Sequence, residues 1–158
     1  MLYMERPMVR RMNFENFLVG DERDFKGRTL NDIRSYTDHE IEHVHDFIQI
    51  VFPLNEESRA SFHGYYLRHD LLVEQISSNE LAKTNIVKSA EWFLKFLERN
   101  SNWKAAYNHN HLRITRIIKC LRLLVSDQEA DKFYNDVLHL LGHHNKINEV
   151  TLDYWKNA

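Results

Sequence analysis

Residues 37–54 have the sequence TDHEIEHVHDFIQIVFPL, and this stretch decides the fold class. Thr37 followed by Glu40 matches a capping box, which opens a helix, and Pro53 disfavours helix at the residue before it. Apolar residues recur between them at the spacing of one helix side: Ile41, Val44, Ile48 and Phe52. The stretch therefore predicts an amphipathic α-helix over about residues 38–51.

The rest of the chain also predicts helices. Only four glycines and two prolines occur in 158 residues, which favours helices joined by short connections. Cap residues and helical periodicity predict further helices over about 65–76, 81–98, 111–125, 126–141 and 148–156. No stretch alternates apolar and polar residues with the period of a strand, so we predict an all-α protein of about six helices.

We expect residues 1–158 to form a single compact domain. Residues 1–28 are rich in charged and aromatic residues and predict an irregular N-terminal arm. Four apolar side chains would dock this arm onto the body: Phe14, Phe17, Leu18 and Phe25. Residues 29–98 contain the deciding stretch, and residues 99–158 supply C-terminal helices that pack on it.

Composition limits the class of protein. The hydrophobic fraction of 43% is typical of a folded domain, and the net charge of −2 gives no global attraction to nucleic acid or anionic membranes. No apolar run approaches the roughly 18 residues of a transmembrane helix. The single cysteine, Cys120, excludes an internal disulfide and is typical of a reducing compartment. We therefore expect a soluble, cytoplasmic protein without a cofactor.

One motif points to an enzyme. His39, Glu40 and His43 spell H-E-x-x-H, in which two histidines one turn apart bind zinc and the glutamate polarises a metal-bound water. Here the two histidines lie opposite the apolar side, and the charged Glu42 occupies a normally uncharged position. Candidates for a third ligand are Glu56, His63, His69 and Glu74. We expect a solvated face with weak surface affinity for a divalent metal, and a metal-dependent hydrolase is the alternative.

A second set of polar residues borders the apolar side of the same predicted helix. Glu42, His45 and Gln49 would share one half-buried stripe. A carboxylate, an imidazole and an amide at this spacing can satisfy one another or hold a polar ligand. They predict either a hydrogen-bond network that fixes the N-terminal arm or a recognition site. In the second case Arg28 would be close enough to contribute.

The predicted helix over about residues 111–125 carries a row of basic residues. The row steps every three residues through Arg113, Arg116, Lys119 and Arg122. Such a row can bind phosphates or another anion, so nucleic-acid or anion binding is a further alternative. The chain is slightly acidic and no aromatic residues interleave with the row, which makes nucleic acid an unfavoured partner. The competing interpretation is a solvated face that pairs with Asp127 or Asp131.

Residues in and before the deciding stretch resemble a known family. The residues are Gly27-Arg28-Thr29-Leu30, Ile33, Tyr36, Glu42, the run His45 to Gln49, Phe52-Pro53-Leu54 and Ser58. They look like the opioid growth factor receptor conserved region, in which a Glu, a His and an Ile-Gln pair lead into an apolar-Phe-Pro-Leu end. The resemblance covers about residues 29–98 and is to short, bacterial-type members. Ile50-Val51 departs from the Trp-Leu pair that is common in the family.

The resemblance implies a helical domain with a nominal peptide-receptor activity (enkephalin-type, in vertebrates) and no catalytic residues. We therefore predict a non-enzymatic binding module for a peptide or small polar ligand. Its candidate site consists of Glu42, His45, Gln49 and Arg28. The sequence names neither the natural ligand nor the oligomeric state.

Overall fold

The computed structural model describes residues 12–58 and 64–158, and in these ranges the protein has α-helices and no β-strand. The predicted all-α class is confirmed, with more and shorter helices than the six expected. The helices are α1 (Phe14–Leu18), α2 (Leu30–Arg34), α3 (Asp38–His43), α4 (Ile48–Val51), α5 (Asp70–Ser77), α6 (Glu80–Arg99), α7 (Asn110–Leu124), α8 (Asp127–Leu141) and α9 (Glu149–Asn157), with a short 3₁₀ helix at Asn102–Lys104.

The core lies where α7 packs against its neighbours. Helix α8 packs on both α6 and α7, α5 packs on the same pair, and α9 packs on α7. Helix α7 buries five large apolar side chains: Ile114, Ile117, Ile118, Leu121 and Leu124. Each such burial contributes about 1.5–3 kcal/mol, so α7 is the element on which the others are assembled. None of the helices in the described ranges has both the length and the apolar character of a membrane crossing.

The C-terminal helices begin and end close to their predicted positions. The Ser126 hydroxyl accepts a hydrogen bond from the Glu129 amide at 3.1 Å and starts α8. Gly142 ends α8 with a φ of +62°, a conformation that favours glycine. Helix α5 differs, because it begins at Asp70 rather than near residue 65 as predicted.

The part of the N-terminal arm that the structure describes contains a helix, so the prediction of an irregular arm is wrong there. The Asn13 side chain accepts a hydrogen bond from the Asn16 amide at 3.0 Å and caps the N-terminus of α1. The predicted docking is confirmed, since α1 contacts α5 and α6 and three of the four side chains are buried, with the fourth half-buried: Phe14, Phe17 and Leu18, then Phe25. Residues 1–11 lie outside the described residues.

The continuous helix predicted over residues 38–51 is wrong, because the chain breaks between α3 and α4. The predicted capping box at Thr37 and Glu40 is present and starts α3. Val44 then adopts an extended conformation, with φ −86° and ψ 125°, which ends α3. The last carbonyls of a helix have no partner within the helix, so a break inside the protein requires donors from elsewhere.

Arg113 of α7 supplies the donors at this break. Its Nη1 donates to the carbonyl oxygen of Ile41 at 2.6 Å, and its Nη2 donates to that of Val44 at 2.9 Å. The guanidinium also lies over the Phe47 ring, 5.3 Å from the centroid. The fork of donors on arginine suits two carbonyls at once, which the single ammonium of lysine does not. We call this set of contacts the Arg113 clamp.

Arg116, one turn further along α7, makes a similar contact with the next helix. Its Nε donates to the carbonyl oxygen of Phe52 at 2.8 Å, where α4 ends. The prediction of a solvated basic face is therefore wrong for Arg113, which is 5% exposed, and for the half-buried Arg116. It is confirmed for Arg122, which pairs with Asp127 and Asp131.

Three aromatic or imidazole side chains tie the C-terminal helices to the core. Trp103 Nε1 donates to the Leu97 carbonyl near the end of α6, and His111 Nε2 lies 2.6 Å from the Trp103 carbonyl. Trp155 Nε1 in turn donates to the His111 carbonyl at 3.1 Å. All three side chains are buried, so α6, α7 and α9 are held in one arrangement.

The first prediction concerns the Arg113 clamp. Replacing Arg113 with Met leaves two main-chain carbonyls without their donors, so we expect Arg113→Met to lower the free energy of unfolding by about 3 kcal/mol. Lys119→Met on the same helix removes only an exposed pair with Glu56 and should cost less than about 1 kcal/mol. Urea denaturation followed by circular dichroism measures both. Equal losses in the two variants would contradict a stabilising clamp.

Candidate functional site

A groove of about 770 Å³ lies beside the break, between α4 and α7. This volume is within the range of small-ligand sites. Its lining comes from the break, from α4 and the segment after it, from α7 and the residue before it, and from α9: His45, Ile48, Gln49, Leu54, Glu56, Glu57, Ser58, His109, Leu112, Arg113, Thr115, Arg116, Lys119 and Tyr154. We call it the α4–α7 groove.

The predicted stripe of Glu42, His45 and Gln49 does not exist as one helix side, because the break separates its members. Gln49 is 4% exposed and lines the α4–α7 groove, and His45 lies in the break, is exposed and lines the groove as well. Glu42 is half-buried and turns towards the start of α7. There its Oε2 accepts a hydrogen bond from Asn110 Nδ2 at 3.1 Å.

The second partner of Glu42 is His109, for which no site role was predicted from the sequence. His109 Nε2 lies 3.2 Å from Glu42 Oε1, and the His109 ring meets the His45 ring edge to face, with 5.5 Å between centroids. His45 and His109 both line the groove. Glu42 and His109 are far apart in the chain, so no local spacing pattern relates them.

Burial and neighbouring charges set the protonation of these groups. Burial lowers the pKa of His109, the Glu42 carboxylate raises it, and Arg113 and His45 lower it further, so that the pKa stays below its usual value of 6.5. Burial also lowers the pKa of Arg113, to about 10, which leaves the guanidinium charged at neutral pH. At neutral pH the groove therefore has a charged Arg113 beside a mostly neutral His109.

The predicted anion-binding row lies on the wall of the same groove. Arg113, Arg116 and Lys119 all line it. Burial lowers the pKa of Arg116, whose Nη2 is buried and has no hydrogen-bond acceptor among the described residues. Lys119 is exposed, and its Nζ lies 3.3 Å from Glu56 Oε1. The structure thus brings two sets of candidate residues, predicted separately from the sequence, into one concave surface.

Arg28 lies elsewhere, in an ion-pair network on the N-terminal side of the break. Its guanidinium contacts the carboxylates of Asp24 and Asp46, each at 2.7 Å, and it donates to the Tyr36 hydroxyl at 3.2 Å. Burial alone would lower the pKa of Arg28, but these partners raise it above its usual value. The described lining of the α4–α7 groove does not include Arg28. Arg28 holds the segment before α2 against the α3–α4 connection.

The H-E-x-x-H residues lie on the exposed side of α3, as predicted. His39, Glu40 and His43 are exposed, and the two imidazole rings are 4.3 Å apart between centroids. The Glu40 carboxylate accepts hydrogen bonds from the Thr37 amide at 3.1 Å and the Thr37 hydroxyl at 3.2 Å. Among the described residues no three metal-binding side chains form a group, and the candidate ligand His63 lies outside them.

A second prediction tests the contact between Glu42 and His109. We expect Glu42→Gln to lower the pKa of His109 further, because the nearby carboxylate stabilises the imidazolium. Glu98→Gln, an exposed substitution on α6, is the control and should leave the pKa of His109 unchanged. NMR titration of the imidazole C–H resonances measures the pKa. An unchanged or raised pKa in Glu42→Gln would contradict the pairing.

Comparison with known proteins places this domain in a family. Over 119 residues the chain is 26% identical to opioid growth factor receptor-like protein 1 of Mus musculus and to the protein of the same name in Rattus norvegicus. The aligned part covers 63% of this chain but only 25% and 24% of those proteins, so the chain spans about a quarter of their length. No solved structure matches.

The family match extends further than the resemblance seen in the sequence. The model of the opioid growth factor receptor conserved region matches residues 26–158, and this range includes the C-terminal helices beyond the 29–98 region expected from the motif. The match therefore includes both walls of the α4–α7 groove, which are contributed by residues on either side of position 98. This chain belongs to the opioid growth factor receptor conserved-region family.

Proposed function

We propose that this domain is a non-enzymatic binding module whose α4–α7 groove holds a short peptide or another small polar ligand. The observation that carries the proposal is the groove itself, which combines a suitable volume with a mixed lining. Ile48 and Leu54 provide apolar surface, and His45, Arg116 and Lys119 provide polar and charged groups.

The family gives this proposal its ligand class. The family description names a growth factor receptor, and the mouse and rat relatives are described as receptor-like. This chain matches only about a quarter of those relatives, so receptor activity of the whole proteins is not assumed for it. A peptide ligand is also consistent with the groove, because exposed apolar side chains of Leu112 and Tyr154 stand beside its charged wall.

The binding proposal is tested with three end-capped ten-residue peptides. They share the same leucines and differ in carrying Glu, Gln or Lys at the same polar positions. We expect at least one peptide, at millimolar concentration, to shift the NMR resonances of His45, Gln49 and His109. Shifts confined to other surfaces, or no binding by any of the three peptides, would overturn the proposal.

Two histidine variants sharpen this experiment. We expect His45→Ala to weaken the bound peptide about fivefold, the equivalent of one hydrogen bond of about 1 kcal/mol. His45 is exposed, so the variant should fold normally. His139→Ala, on the exposed side of α8, is the matched control and should leave the affinity unchanged. An equal effect of the two substitutions would place the peptide outside the groove.

A separate measurement distinguishes this function from a metal-dependent hydrolase. The Glu40 carboxylate is engaged by Thr37, whereas hydrolysis requires a glutamate directed at a metal-bound water. We therefore expect protein purified without added zinc to contain no stoichiometric metal, and His39→Ala and His43→Ala to have the same metal content as the unmodified protein. Elemental analysis checks this. Stoichiometric metal that both variants lose would favour the hydrolase.

A further inference from the structure

We propose that the ligand of the α4–α7 groove is an acidic peptide in which an apolar residue and an acidic residue are separated by one position. The carboxylate would contact Arg116 and Lys119, and the apolar side chain would pack on Leu112 and Tyr154. This inference rests on the proposed function, because it requires that the groove binds a peptide.

The first argument is the way the arginines of this protein are paired. Arg28, Arg99 and Arg122, which lie outside the groove, each contact at least one carboxylate. Arg113 and Arg116, on the groove wall, donate instead to main-chain carbonyls. A carbonyl satisfies a donor but does not neutralise the charge of a guanidinium. The positive charge on this wall is therefore available to an anionic ligand.

The balance of charge in the groove has the same sign. Three cationic residues line it, Arg113, Arg116 and Lys119, against two carboxylates, Glu56 and Glu57, which leaves a charge of about +1 before histidine protonation. The whole chain carries −2. The groove thus differs in sign from the protein around it, which favours acidic ligands over basic ones.

Arg116 is the residue that gains most from such a ligand. Only its Nε has an acceptor among the described residues, and its Nη2 is buried without one. A buried donor without an acceptor is costly, and a carboxylate is the acceptor that matches a guanidinium best. A ligand carboxylate would supply both the missing acceptor and the missing countercharge.

The apolar edge of the groove indicates a peptide rather than a free anion. Leu112 and Tyr154 are 64% and 63% exposed, and both line the groove. Leu112 and Arg116 are four residues apart on α7, so they are separated by about 6 Å along the helix axis. In an extended peptide, side chains two positions apart face the same way and are about 6.6 Å apart. These matching distances are the reason for the Leu-x-Glu spacing.

The test uses fluorescein-labelled, end-capped ten-residue peptides of glycine and serine that contain a Leu-x-Glu, Leu-x-Gln or Leu-x-Lys pair. Fluorescence anisotropy measures their affinities at 50 and 300 mM NaCl. We expect the Glu peptide to bind at least tenfold more tightly than the Gln peptide and to weaken at the higher salt concentration. The Lys peptide should bind more weakly than either.

Three variants assign the contacts. Arg116→Gln should reduce the preference for Glu over Gln to less than twofold. Because Arg116 also bonds to α4, the exposed Lys119→Gln provides a second variant that leaves this bond in place, and it should reduce the preference about threefold. Leu112→Ser should weaken the Glu and Gln peptides equally. Lys132→Gln, which removes an exposed cation from α8, is the control and should change nothing.

The outcomes separate the two proposals. Equal binding of the Glu and Gln peptides in the groove overturns the acidic ligand but leaves the binding module in place. No binding by any of the peptides overturns the binding module. Two competitors complete the design: if inorganic phosphate or a ten-nucleotide single-stranded DNA binds the groove more tightly than the Glu peptide, the peptide inference is overturned.

Discussion

The arrangement of this domain depends on a buried guanidinium that bonds to the main chain of another element. Arg113 reaches from α7 into the gap between α3 and α4 and binds the carbonyls of Ile41 and Val44. These carbonyls would otherwise be buried helix ends without partners. The contact fixes where α3 ends, and α4 then starts in a new direction beside α7. Without the break, the stretch would remain one helix and the groove would lose one wall.

Local sequence signals predicted the parts of the fold that local interactions determine. The capping box at Thr37 and Glu40, the hydroxyl cap at Ser126 and the glycine that ends α8 all lie where the sequence indicates. The break after α3 could not be predicted, because its cause is an arginine about 70 residues away in the chain, and local periodicity carries no signal from it. The same holds for the pairing of Glu42 with His109.

The candidate site was predicted in pieces. The sequence marked residues before position 50 and basic residues after position 110 as two unrelated sets, and the structure brings members of both into one groove. It leaves Arg28 in a separate ion-pair network and Glu42 beside the start of α7, away from the predicted stripe. The H-E-x-x-H letters had the clearest motif, yet their glutamate serves as a helix cap.

The clamp has a consequence for how this family can diversify. The arginines that make the groove wall positive also hold α3 and α4 in position, so the charge of that wall cannot be reversed without losing the scaffold. Freedom to change lies with the exposed lining residues, such as His45, Leu112, Lys119 and Tyr154. Relatives that keep this architecture would inherit a preference for the sign of the ligand's charge and could alter only which side chains accompany it.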